Sequence, residues 1–300
     1  MKPGPAAVAE LISLSFPLGA GPEPLEDIVY RIVDAHSDWP GPPEEKASLW
    51  APRVKSILVK QWVQNLKDGK QPRFAFNSVS PYKIQGACFV EPLDSSEVIA
   101  QKRRRLRWVN YYEYLRRLSP EVFELLCVRV LALLGVRSPS HTPYRADQGI
   151  DFFGKMSFGD LTGHGALFPV FESRVVVWLV GQAKHYLHNK VSTPDIRELV
   201  GSTILGRSRA FPKDGILQNL KIRTCDPVVM LFFTTGELSA DGWSLCRRAG
   251  IAAMDGEMLA SFLADKEVGV REDDGEARFD QNVFAQWLKA PEAVSEQSSD

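Results

Sequence analysis

The sequence predicts an α/β protein with a central mixed sheet flanked by helices, together with a small N-terminal α+β unit. Three observations carry this. After a helix that starts at Ser119, the segments follow as ββαβαβα, the pattern of a layered α/β core. Residues 175–180 (VVVWLV) form a continuous apolar run that reads as a buried strand. Residues 25–95 instead give two amphipathic helices and then two short strands around Pro81, without βαβ alternation. Two helices and a hairpin are compatible with a winged helix, and equally with other small α+β units.

Composition bounds the class. The chain has 300 residues, 44% hydrophobic and 24% charged, enough apolar material for a real core. A formal net charge of −1 excludes a global basic field, so any polyanion site has to be a local patch. The longest apolar run falls far short of the roughly 20 residues a membrane-spanning helix needs. Cys88, Cys127, Cys225 and Cys246 form no CxxC pair and have no histidines at zinc spacing. They read as buried thiols of a reducing cytosol.

The elements follow in order. Residues 1–24 hold Pro3, Pro5 and Pro17 among small and apolar residues, which spoils a signal peptide and predicts a loosely ordered leader. Leu25, Ile28, Val29, Ile32 and Val33 share a helical face; residues 38–45 (DWPGPPEE) are a loop; Ser48–Leu66 is helical again. Glu97–Leu118 predicts one long basic helix. It carries Arg103, Arg104, Arg105 and Arg107 beside Trp108, Tyr111, Tyr112 and Tyr114. It is either a solvated connector with an aromatic packing stripe or a face that tracks phosphates. Ser119-Pro120-Glu121 starts the next helix as an N-cap, a first-turn proline and a first-turn acid, and Gly135 ends it. Strands at Val228–Thr234 and 251–255, with helices starting at Pro194, Ser239 and Gly256, complete the core. Val283, Phe284, Trp287 and Leu288 dock a last helix.

The chemistry-bearing segments are DQGIDFF (147–153) and VVVWLVGQAKHY (175–186). Residues two apart on a strand point the same way, so Gln182 and Lys184 can both face Asp151 if the strands are neighbours. A buried strand that ends in Gln and Lys is costly unless those groups serve something. A divalent cation and a phosphate diester suit them. Asp151 offers Mg²⁺ a carboxylate oxygen, Gln182 offers an amide oxygen to the ion or one of its waters, and Lys184 sets a positive charge beside the attacking water. His185 and His188 flank this motif and read as packing or surface residues. Taken alone, an Asp and a later QxK arise by chance in many chains.

A wider set of residues appears in order: Phe123-Glu124 on the opening helix, Asp147 before Gly149-Ile150-Asp151, and Gln182-Ala183-Lys184 at a strand end. Val191, Ile196-Arg197-Glu198-Leu199-Val200-Gly201, Thr234-Thr235-Gly236 and Asp255-Gly256 follow. This set resembles the catalytic domain of the Mrr-like restriction endonucleases, of the PD-(D/E)xK nuclease superfamily, across most of residues 119–288. The resemblance implies a restriction-endonuclease-like core and an endonuclease that hydrolyses DNA, most readily duplex, with Mg²⁺ or alternatively Mn²⁺. It implies a cytoplasmic role in bacterial restriction or antiphage defence. Asp151, Gln182, Lys184 and Glu124 are the expected catalytic residues, with Asp151, Gln182 and Glu124 as metal ligands. Lys190 and Arg197 join Arg103, Arg104, Arg105 and Arg107 as candidate nucleic-acid contacts.

The expected organisation is a leader at 1–24, an accessory or recognition domain at 25–95, a basic connecting helix at 96–118, the Mrr-like domain at 119–288 and a disordered tail at 289–300. A homo-oligomer or a defence-system partner protein fits the same reading. Two alternatives stay open: a non-catalytic nucleic-acid-binding or assembly subunit on the same fold, and a nuclease for RNA or branched DNA. The chain departs from the family in its longer hairpin, where 154–174 looks inserted. Gln182 stands where the wider superfamily has an acidic residue, as it does in Mrr-like members.

Overall fold

The computed structural model describes residues 2–142, 149–162, 174–208, 220–273 and 276–290. The chain divides into two compact units, residues 1–109 and 110–300.

The first unit runs α1 (Pro5–Ser15), β1 (Glu23–Pro24), α2 (Leu25–Asp34), α3 (Pro43–Lys67), β2 (Phe74–Phe76), β3 (Lys83–Gly86) and α4 (Ser96–Arg105). Its three strands form an antiparallel sheet in the order β1-β3-β2. Val8, Ile12, Ile28, Val29, Val54, Leu58, Phe74 and Ile84 pack as its core. The loosely ordered leader read over residues 1–24 is corrected here. Pro5 opens α1, where its missing N–H costs nothing, and Ala7, Val8, Ala9 and Ile12 are buried. The loop read at 38–45 ends early, because α3 already starts at Pro43.

The single basic helix read over 97–118 is two. Here α4 stops at Arg105 and α5 (Trp108–Leu115) begins after residues 106–107. Lys102 of α4 is tied down: Nζ donates to the Phe89 carbonyl and to Asp94 Oδ2, each at 2.7 Å.

The second unit continues with α6 (Pro120–Leu133), β4 (Arg137–His141), β5 (Phe152–Ser157), α7 (Phe158–Thr162), β6 (Val176–Lys184), α8 (Thr193–Arg207), β7 (Val228–Thr234), α9 (Ala240–Ala249), β8 (Ala252–Met254) and α10 (Gly256–Asp265). A β9–β10 hairpin (Val270–Asp273, Glu276–Phe279) and α11 (Gln281–Lys289) close it. The five-stranded sheet has the order β4-β5-β6-β7-β8. Pairing is antiparallel from β4 to β6 and parallel from β6 to β8, so the sheet is mixed. Helices α8 and α9 supply the parallel crossovers.

Strand β6 is central and buried from Val177 to Ala183, which explains its unbroken apolar run. On one face Phe153, Trp178, Val180 and Phe232 pack with Ile196 and Leu199 of α8 and Cys246 of α9. Phe152 and Phe233 stack with ring centroids 5.2 Å apart. Gly181 makes room for that pair: a Cβ there would stand 2.1 Å from the Phe152 ring. Ser119 caps α6 through Val122 N–H, and Gly135 follows that helix with a left-handed φ of 94°. The Tyr111 hydroxyl donates to the Val268 carbonyl at 2.6 Å, and Phe284 and Leu288 of α11 are buried. Val283 and Trp287 are only half-buried.

Cys88, Cys127 and Cys246 are buried, as expected, but Cys225 is exposed. Among the described residues no helix is long and apolar enough to cross a membrane. The first part of the supposed insertion completes β5 and forms α7; residues 163–173 and the tail at 291–300 lie outside the described residues.

Candidate active site

The chemistry gathers where β5 begins and β6 ends. Asp151 directly precedes β5, and its backbone extends both ladders: its N–H donates to the Gly181 carbonyl at 2.9 Å and its carbonyl accepts from Thr142 N–H at 2.8 Å. This registers Asp151 beside the Gln182-Ala183-Lys184 stretch of β6. The carboxylate is fixed as well, because Ala183 N–H donates to Asp151 Oδ2 at 2.7 Å.

Gln182 is 1% exposed. Its Nε2 donates to Glu198 Oε2 at 3.0 Å, and its Oε1 is buried without a hydrogen-bond partner among the described residues. Lys184 Nζ reaches the same Glu198 Oε2 at 3.3 Å. Burial works against the Lys184 ammonium. The Glu198 charge, its hydrogen bond and the charges of Asp151 and Tyr186 outweigh that and hold the pKa above the ordinary lysine value. Lys184 is therefore a cation at neutral pH.

Glu124 sits on α6, half-buried. Burial pushes the Cys127 thiol well above its ordinary pKa, with the Asp151 and Glu124 carboxylates adding to the effect. Both acids thus act on the same buried thiol.

Sequence reasoning missed Glu198 as a site residue. Tyr186 Oη donates to Asp195 Oδ1, while Asp195 Oδ2 accepts from the Ser192 N–H and hydroxyl; these bonds hold the start of α8. Ile196 and Leu199 bury the inner face of that helix, and Glu198 lies beside them. A polar residue next to the buried stripe of the helix that follows β6 was the available signal.

The remaining candidates of the second unit do not join this cluster. Lys190 is exposed and pairs with Glu237 at 2.7 Å. Arg197 is exposed on α8, and Arg103, Arg104, Arg105 and Arg107 belong to the first unit. His185 sets its ring edge-on to Phe123, with centroids 6.0 Å apart, in keeping with packing. Thr234 and Thr235 are fully buried and bond the backbone of Gly236 and Tyr186, so they shape a turn. Asp147 lies outside the described residues.

The donor set is all oxygen: a carboxylate from Asp151 and a buried amide oxygen from Gln182 that has no partner among the described residues. That fits a hard divalent cation such as Mg²⁺ or Mn²⁺. Among the described residues no three His, Cys, Asp or Glu side chains converge as a metal site, so the protein side of any ligation would be sparse. Mg²⁺ usually keeps several of its waters.

Residues 115–209 match the restriction endonuclease family Mrr_cat. The Mrr_cat match spans α6 to α8 and so contains Glu124, Asp151, Gln182, Lys184 and Glu198. No curated protein matches the sequence. A solved structure, the MspJI restriction endonuclease in complex with a 27-mer oligonucleotide, is loosely similar, with a TM-score of 0.39 and 18% identity over 69% of this chain. The likeness spans 40% of the MspJI chain.

Proposed function

We propose that the chain is a metal-dependent endonuclease that hydrolyses phosphodiester bonds of DNA, with its centre at the end of β6. One observation carries the reading. A carboxylate, a buried amide oxygen with no partner among the described residues and a charged ammonium are gathered at one strand end, inside the segment that matches Mrr_cat.

In this reading Asp151 and Gln182 hold Mg²⁺ or Mn²⁺ through oxygen, and Glu124 is a further carboxylate directly or through water. A bound divalent cation supplies Lewis-acid polarisation of the phosphate and a more acidic water. Lys184, kept protonated, stabilises the negative charge that gathers on the phosphate. The water gives up a proton as its oxygen forms a new P–O bond, the P–O bond to the leaving oxygen breaks, and the leaving oxygen takes up a proton. The buried thiols of Cys88, Cys127 and Cys246 support a reducing, cytosolic setting, and the role assigned to the chain there is restriction or antiphage defence.

The first unit is assigned to target recognition. Its order α1-β1-α2-α3-β2-β3, with a β1-β3-β2 sheet, supports the winged-helix reading.

The test is incubation of the purified chain with plasmid, methylated plasmid, single strands and RNA, with Mg²⁺, Mn²⁺ or EDTA. Cation-dependent cutting of plasmid is the expected result. Cutting confined to RNA would move the substrate. Failure on every substrate with either cation would sink the enzyme reading and favour a binding subunit.

A further inference from the structure

We infer that Glu198 is a positioning residue: it orients the Gln182 side-chain amide so that the oxygen, and not the NH₂ group, is presented to a bound divalent cation. The inference rests on the metal-site reading above and deepens it.

A glutamine amide has two ends of nearly equal size, one accepting and one donating. Only the oxygen end can ligate a hard cation. An acidic residue at this strand position would need no orienting, because both its oxygens accept. A glutamine does, and something beside it has to choose. Glu198 makes the choice. An ionised carboxylate is acceptor-only, and its Oε2 takes Gln182 Nε2 at 3.0 Å. Gln182 is 1% exposed, so solvent does not compete for the amide, and among the described residues Oε1 is left without a protein partner. Flipping the amide would set its oxygen against the Glu198 carboxylate, acceptor against acceptor, and turn the N–H groups toward the cation.

The same Glu198 oxygen lies 3.3 Å from Lys184 Nζ. One carboxylate therefore sets both polar side chains of the Gln-Ala-Lys strand end, and with that oxygen so engaged it is assigned here as an orienting group and not as a ligand. The approach of Glu198 has its own support. Gly149 has a left-handed φ of 70°, and a Cβ there would stand 2.8 Å from Glu198 Cγ and 2.7 Å from Ser202 Oγ. A glycine two residues before Asp151 thus leaves the space that α8 uses.

The test is a double-mutant cycle read by calorimetric Mn²⁺ and Mg²⁺ binding to the full chain, with plasmid cutting as a second readout. Partners that orient metal ligands are worth about 10–100-fold in affinity. Glu198→Ala should raise the cation Kd by roughly that factor. The Glu198 side chain is 44% exposed and α8 keeps its buried face, so the variant folds. Glu198→Gln, which sets no direction, should show a smaller loss. In a Gln182→Glu background there is no amide to orient, so Glu198→Ala should cost no cation affinity there.

Equal losses in both backgrounds would assign Glu198 a merely structural role and overturn the inference. So would wild-type cation binding that Asp151→Asn abolishes and Glu198→Ala leaves unchanged; the metal-site reading would survive that result. Absence of cation binding by the wild-type chain, or equal binding by Asp151→Asn, would remove the metal-site reading and this inference with it.

Discussion

Ala183 N–H donates to Asp151 Oδ2 at 2.7 Å, which anchors the carboxylate to the residue that separates Gln182 from Lys184. The bond decides how the acid should be tested. Asp151→Ala would leave a backbone donor unpaired, a cost of about 1–3 kcal/mol that confuses folding with chemistry. Asp151→Asn keeps an accepting oxygen and removes only the charge. It should lower cleavage by more than roughly 100-fold, since even outer partners of a metal reach that value, while the melting temperature stays close to that of the wild type. Single-turnover cleavage and thermal unfolding on the same preparations check both halves. Wild-type cleavage by Asp151→Asn would show that the activity arises elsewhere.

Lys184→Ala should behave differently. The lysine is 25% exposed, its partner Glu198 keeps the Gln182 bond, and pairs this exposed contribute no more than about 1 kcal/mol. Stability should therefore hardly change. Cleavage should fall by about 100–1000-fold, the usual cost of losing one preorganised group that stabilises transition-state charge. Cation binding measured without DNA should not weaken, because Lys184 offers the ion no oxygen. A loss of cation binding equal to that of Asp151→Asn would contradict the assigned role.

Gly181→Ala tests the packing behind the site. A Cβ would meet the Phe152 ring at 2.1 Å, and Phe152 is fully buried and stacked on Phe233. Nothing flexible can give way, so the cost should reach or exceed about 1–3 kcal/mol, the usual range for overpacking. Denaturant midpoints measure it. Adding Phe152→Leu, which removes the obstructing ring edge, should return part of the loss. An additive pair would show that the clash is not the cause.

Much of the fold was legible because its signals are local. Ser119 and Gly135 bound α6 by capping, and the uniform hydrophobicity of β6 announced a strand covered on both faces. Strand alternation put Gln182 and Lys184 on one side of their strand, and the pairing of β5 with β6 sets Asp151 beside them. What escaped is set by distant parts of the chain. Prolines suggested a loose leader, but Pro5 occupies the first turn of α1, and the burial of Val8 and Ile12 decides the outcome. The break after α4 is marked by no proline or glycine, although Lys102 pins that helix to Asp94 and to the Phe89 carbonyl. Glu198 acquires its partners only once α8 crosses back over β6, and one helical sequence does not show which flanking polar residue will reach the strand end.

Asp226 contributes to the acid limb of stability. It accepts from Trp178 Nε1 at 3.1 Å, Arg223 N–H at 2.9 Å and Arg223 Nε at 2.8 Å. Burial pushes its pKa up, but the Arg223 and Trp178 hydrogen bonds and the Arg223 charge prevail and hold it below the ordinary Asp value. A carboxyl whose folded pKa is depressed adds stability above its unfolded pKa, about 3.9, and that stability is lost as pH falls through the folded value. Wild-type stability should therefore drop below about pH 4. Asp226→Asn should be less stable at pH 7 and show a shallower acid decline. Urea midpoints from pH 7 down to pH 3 provide the measurement; parallel curves for the two proteins would assign the acid limb to other carboxylates.

The basic end of α4 remains a nucleic-acid surface to be tested. Lys102 is excluded, since its ammonium is held by Asp94 and the Phe89 carbonyl with the side chain 18% exposed. Arg103 is exposed, and Arg104 and Arg105 are half-buried. If these arginines touch phosphates, they should act alike on any duplex, because the phosphate carries no sequence. Removing one arginine that neutralises a phosphate should flatten the dependence of log affinity on log salt by about 0.9, so Arg103→Ala/Arg104→Ala/Arg105→Ala should change the slope by up to about 2.7. The titration belongs in an Asp151→Asn background, so that duplex is bound without being cut, at several salt concentrations and on two unrelated sequences. Arg278→Ala is the control: that exposed arginine pairs with Glu276, and its removal should leave the slope alone. A triple variant with an unchanged slope would return α4 to a scaffold role. The groups that hold phosphate would then have to come from elsewhere, with exposed Arg197 ahead of Lys190, whose ammonium already pairs with Glu237 at 2.7 Å.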